Sequence, residues 1–133
     1  MDRSTARAAA MKLIYEWNMG GDGGENTRLG MLEIQPGERE TDYMDMLVAG
    51  VQEKVDTLDE TIEKFSNNWR IDRIERVTLA ILRLAVYELL YEDLAANIII
   101  NEALDLNRTY ASPESVSFVN GILGSVQRSR DDA

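Results

Sequence analysis

Ile74-Glu75-Arg76-Val77-Thr78-Leu79-Ala80-Ile81-Leu82-Arg83-Leu84-Ala85-Val86-Tyr87-Glu88-Leu89-Leu90 is the stretch whose reading decides the fold. Its apolar residues cover most of the circumference of a 3.6-residue helix, where a surface helix would show a single stripe. A helix of that kind is the centre of a bundle. It is too short to span a bilayer, and Arg83 and Glu88 interrupt its apolar run. Those two ions need partners once buried, because an unpaired charge away from water is costly. Asp72 is placed to cap this helix, with Glu75 at the reciprocal position of a capping box.

Helical periodicity continues on both sides. Leu47, Val51, Val55, Leu58, Ile62 and Phe65 recur at steps of three and four, which predicts a long helix from Thr41 to Asn67. Gly50 interrupts good helix formers there and implies close approach of another backbone. Ala6, Ala10, Leu13 and Trp17 predict a first helix from Arg3 to Met19. Gly20, Gly21, Gly23 and Gly24 end it, since glycine costs backbone entropy in a helix and admits left-handed turns. That run lacks the Gly-Lys-Ser/Thr and the preceding strand of a phosphate cradle, so it reads as a loop. A short helix is expected over Thr27 to Ile34, closed by Pro36-Gly37. Ile100, Ala103 and Leu104 mark the core face of a helix over Asn97 to Arg108. The last helix starts with Ser112 as N-cap and Pro113 at the first helical position, and carries Val116, Val119, Leu123 and Val126. No stretch shows sustained period-two alternation. The expectation is an all-α compact helical bundle forming one domain over residues 1–133.

Composition bounds the chemistry. Of 133 residues, 44% are hydrophobic, enough for a core without metals or disulfides. With neither Cys nor His, the chain has no disulfide, thiolate zinc site, thiol nucleophile or His acid/base. A carboxylate site for Mg²⁺ or Ca²⁺ stays open, but no EF-hand spacing occurs, and no cofactor is expected. Met1 to Leu13 lack the continuous apolar run of a signal peptide, so the expected location is the cytoplasm. The net charge of −10 argues against nucleic-acid binding by bulk electrostatics. Its distribution is uneven. Residues 1–19 hold Arg3, Arg7 and Lys12 against two carboxylates, whereas residues 33–64 set Arg39, Lys54 and Lys64 against ten. That acidic face would attract a basic protein or simply remain solvated.

Five blocks carry a family resemblance. Phe118-Val119-Asn120-Gly121-Ile122-Leu123 resembles the FVNGvL signature of the NusB family, and Ile100-Asn101-Glu102-Ala103 its INEA motif. Ala80 to Leu89 is similar to the family's aiLRlaxyEL helix. Leu47-Val48-Ala49-Gly50-Val51 with Leu58-Asp59 is similar to LvxGV…LD, and Ala6-Arg7 with Ala10, Tyr15 and Trp17 to the ARexAlqxLYxw start. The blocks stand in family order and cover nearly the whole chain. The resemblance implies two packed three-helix subdomains and a transcription antitermination factor that catalyses no reaction. It implies heterodimer formation with the ribosomal protein NusE, binding of boxA RNA in ribosomal RNA leaders and phage transcripts, and assembly with RNA polymerase and other Nus factors. Some rRNA cytosine methylases carry the same domain fused to a methyltransferase. With the chain ending soon after the last motif, none is expected here.

The resemblance also assigns residues. The family's arginine-rich N-terminal segment contacts boxA, which points to Arg3, Arg7 and Lys12. Arginine suits this because its planar fork binds phosphate and stacks on bases. Arg3 and Arg7 lie at i and i+4 and can share a face. Ser4 and Thr5 stand where relatives often have Arg. Phe118 lies beside the RNA path in the family and falls at the edge of its helical stripe, with Ser115 before it. Arg108 keeps the positive charge that follows the INEA helix. The start of the central helix contributes to the NusE contact, which assigns Arg76 and Thr78 to the partner, although Thr78 stands where relatives carry an acid. Ala95 replaces a common Pro and Asn97 a frequent basic residue. Asn101 and Glu102 read as polar residues at a helix seam, Gly121 as a packing residue, and Arg83 and Glu88 as members of a structural ion-pair set. Tyr15, Trp17 and Tyr87 read as core aromatics. The alternative reading is a NusB-fold protein-interaction or homodimeric module with weak RNA binding.

Overall fold

The computed structural model describes residues 2–21, 41–67 and 69–132. Among these it forms five α-helices: α1 (Arg3–Asn18), α2 (Asp42–Phe65), α3 (Arg76–Tyr91), α4 (Ala96–Tyr110) and α5 (Ser115–Asp131). A 3-10 turn, Ile71–Arg73, lies between α2 and α3. The described residues contain no strand, and no helix among them is long and apolar enough to cross a membrane. The helix expected over Thr27 to Ile34, with Gly23, Gly24 and Pro36-Gly37, lies outside the described residues.

The central helix is the one the sequence singles out. Every residue from Thr78 to Val86 is buried, and α3 packs against each of the other four helices. Leu47, Val51, Leu58, Leu82, Leu89, Val119 and Leu123 are all buried in one core. Each fully buried side chain of this size stabilises by roughly 1.5–3 kcal/mol.

The ends of the elements differ in detail. Asp2 caps α1 by accepting from the Thr5 amide at 2.7 Å, and that bond lowers its pKa. Gly20 follows α1 in the left-handed region, φ +99°, which suits glycine. Asp72 does not cap α3. It lies in the 3-10 turn, and α3 starts after Glu75. α5 starts at Ser115, because Ser112 and Pro113 spend their carbonyls on a turn that accepts from the Ser115 and Val116 amides. Arg130 of α5 donates to the Leu89 carbonyl at 3.2 Å, satisfying an acceptor at the end of α3. Beside Gly50 lies a side chain where a backbone was expected: a Cβ there would stand 2.2 Å from the Tyr87 ring.

Candidate nucleic-acid interface

The charged residues first divide into those that build the interior and those that reach the surface. Glu88, 1% exposed, accepts from Arg7 Nε at 2.9 and 3.0 Å and from the Tyr43 hydroxyl at 3.1 Å. Arg7 is itself 3% exposed and also reaches Glu102 at 3.4 Å, while the Ser4 hydroxyl donates to the same Glu102 oxygen. Burial lowers the Arg7 pKa, but the hydrogen bond and charge of Glu88 outweigh it and the net direction is upward. Burial, then the Glu88 charge, raises the Tyr43 pKa. On the far side of α3, Arg83 forms a bidentate pair with Asp59, both bonds 2.8 Å, donates to Asn18 and lies over the Trp17 ring. The two buried ions of the central helix are therefore both partnered, in two separate clusters.

The structure sets Arg7 apart from the other residues assigned to RNA. It shares its helix face with Met11 and Ile14, both buried, and its guanidinium is committed to Glu88. A side chain so held presents no free fork to phosphate. Thr78 is likewise turned inward: it is 2% exposed, with its hydroxyl donating to Glu75 at 3.3 Å. Arg3 is exposed and rests over the Tyr43 ring, 4.8 Å from its centroid. Lys12, about 13 Å further along α1, stands over the Tyr110 ring at 5.2 Å. Arg108 is exposed and pairs with Asp105 at 3.0 Å. Ser115 is half-buried and braces the α4–α5 corner, donating to the Ser112 carbonyl at 2.7 Å and accepting from buried Asn107 at 2.9 Å. Gly121 is exposed, with open space where a Cβ would stand, so it is not a packing residue within this chain.

Phe118 is half-buried and leans on a residue that sequence reasoning missed. Trp69, 54% exposed, meets the Phe118 ring edge-on, centroids 6.1 Å apart at 64°. A cavity of about 350 Å³ opens beside them, walled by Ile74, Thr78, Ser115 and Arg73. Arg70, Arg73 and Arg76 are all exposed here. Arg70 pairs with Asp72 at 3.4 Å, and Arg73 and Arg76 have no ion-pair partner among the described residues. The available signal was a tryptophan followed by three arginines within seven residues of an acidic chain. No group of three or more carboxylates among the described residues is placed to hold a metal.

Comparison with known proteins fixes the family. The NusB family profile matches residues 4–128. The chain belongs to the NusB family. It is similar to the transcription antitermination protein NusB of Acetivibrio thermocellus, 43% identical over 95% of this chain and 88% of that protein. The Clostridium botulinum NusB is 39% identical over 95% of this chain and 98% of its own length. Among solved structures, T. maritima NusB superposes with a TM-score of 0.83 at 26% identity, covering 96% of this chain and 92% of that one. A NusB chain solved with NusE and double-stranded RNA superposes at 0.84 with 27% identity, covering 96% of each. As a NusB-family protein it is a non-enzymatic transcription antitermination factor, with the all-helical NusB fold.

Proposed function

We propose that this NusB protein acts as one RNA-binding domain over residues 1–133. In this reading it binds the boxA element of ribosomal RNA leader transcripts as a heterodimer with NusE, and so joins the RNA polymerase antitermination complex. The observation that carries the reading is the full-length match to a NusB chain solved together with NusE and RNA. Arg3, Lys12, Arg108 and Phe118 are the side chains assigned to RNA, with Ser115 holding the corner from which Phe118 projects. Arg76, exposed at the first turn of α3, is assigned to the partner.

The net charge of −10 and the inward commitment of Arg7 give the partner a larger share of phosphate binding. Each Lys or Arg that NusE supplies adds a phosphate contact and releases counterions. The test is titration of boxA RNA into the chain alone and into its mixture with NusE, across a range of salt. Affinity should rise with NusE, and the salt dependence should steepen. Equal affinity with and without NusE would refute the heterodimer. The same two observations favour, as second reading, a protein-interaction or homodimeric module. A NusE complex or a homodimer that retains no boxA RNA would establish that reading instead.

A further inference from the structure

Trp69 is held in the open by its backbone. Asn67, at φ +55°, turns the chain out of α2. Buried Ser66 then donates to the Trp69 carbonyl at 2.9 Å, and the Trp69 amide donates back to the Ser66 carbonyl at 3.2 Å. The indole is thus fixed with more than half its surface in water, although an apolar neighbour, Phe118, lies beside it with the two rings inclined at 64°. Two hollows open beside it. One is the cavity of about 350 Å³ shared with Phe118. The other is a hollow of about 340 Å³ bounded by Asn67, Arg70 and Arg73. Both lie at the small end of the roughly 300–1,000 Å³ typical of ligand sites.

The chemistry of the two hollows differs. The one shared with Phe118 is walled by Ile74 and Thr78 and carries the carboxylates of Glu75 and Glu114, with Arg73 at the boundary between the two hollows. Those carboxylates repel phosphate and accept from base amino groups. The second hollow has no carboxylate among its described walls and presents the guanidiniums of Arg70 and Arg73, suited to phosphate and to stacking. A flat, uncharged heterocycle in the first and a phosphate in the second is the outline of a nucleotide unit in a single strand.

We propose that Trp69 is a base-stacking platform for RNA, taking one unstacked base into the cavity it shares with Phe118 while Arg70 and Arg73 hold the adjoining backbone. The inference rests on the boxA reading above and extends it to residues that the family resemblance did not assign. With the indole more than half exposed and the Phe118 ring inclined to it at 64°, indole surface stays free for the base. Base–aromatic stacking is worth enough that Trp69→Ala should weaken binding roughly 5- to 150-fold. Trp69→Phe should keep most of the affinity. Neither change removes a charge, so the salt slope should stay as in the wild type.

The experiment measures boxA RNA binding by the chain with NusE, for the wild type, Trp69→Ala, Trp69→Phe and Phe118→Ala. A series of RNAs with one abasic nucleotide at each position in turn is titrated alongside. One abasic position should cost the wild type about as much as Trp69→Ala does, and should cost Trp69→Ala nothing further. In a Trp17→Phe background, Trp69 fluorescence should be quenched by intact RNA and not by the RNA abasic at that position. Melting temperatures should stay within a few degrees, since the side chain removed is exposed. Wild-type affinity in Trp69→Ala, with every abasic penalty unchanged, would overturn the platform and leave the boxA reading standing. Loss of NusE binding by Trp69→Ala without RNA would overturn it too, by giving the cavity to a protein side chain. Failure of the wild-type heterodimer to bind boxA at all would remove both readings.

Discussion

Arg7 offers the sharpest test, because the same substitution has opposite signatures for a phosphate contact and an interior ion. Arg7→Met removes the charge and keeps much of the stem's packing. Glu88, 1% exposed, then retains only the Tyr43 hydroxyl at 3.1 Å in place of two bonds from a guanidinium. Breaking one side of a buried ion pair costs about 3–5 kcal/mol, against a total stability of about 5–15 kcal/mol. For a chain of this length that lowers the melting temperature by roughly 10–18 °C. Urea denaturation of wild type and variant at neutral pH reads the loss directly. Adding Glu88→Gln to Arg7→Met should restore part of the stability, because an amide is cheaper to bury than an unpaired carboxylate. A variant that melts like the wild type but binds RNA more weakly, with a shallower salt slope, would refute the interior role and make Arg7 a phosphate contact.

Arg73→Ala and Arg76→Ala separate backbone binding from partner binding. The first should lower RNA affinity and reduce the salt slope by about one phosphate contact, read by titration across salt, and the second should weaken NusE binding measured without RNA. Gly121→Ala should stabilise the isolated chain by about 1 kcal/mol, since the helical site is exposed with open space around it, and thermal melts check this. Gly50→Ala should instead cost about 1–3 kcal/mol, because the new methyl would stand 2.2 Å from the Tyr87 ring and force it to move. A paired Tyr87→Leu change should recover most of that loss in the same melts.

The fold was legible because burial leaves a period in the sequence. The central helix announced itself by having no polar face, and the residues expected in the core from α2, α3 and α5 are there. Helix starts were read less well. Asp72 and Ser112 have good capping chemistry, but each lies in a turn that precedes its helix by three or more residues. Side-chain type cannot say whether a capable residue is used. Arg7 is a different case. Its position, in register with Met11 and Ile14, points inward, whereas its charge points to the surface. Only the tertiary nearness of Glu88 makes a buried arginine affordable there.

The blocks that carried the resemblance turn out to touch one another. Arg7 of the first meets Glu88 of the third and Glu102 of the fourth, and Asp59 of the second pairs with Arg83 of the third. In the last block Val119, Ile122 and Leu123 are core, while Asn120 and Gly121 face outward. Such residues are constrained by this chain alone, so a sequence motif records them well. A ligand face has no such internal constraint. Trp69 and Phe118 are brought together only when the link after α2 meets the start of α5, and neither segment shows periodicity that foretells the other. An exposed indole and an open helical glycine each forgo stabilisation that an interior place or an alanine would supply. Features of that kind become legible only once the core is built.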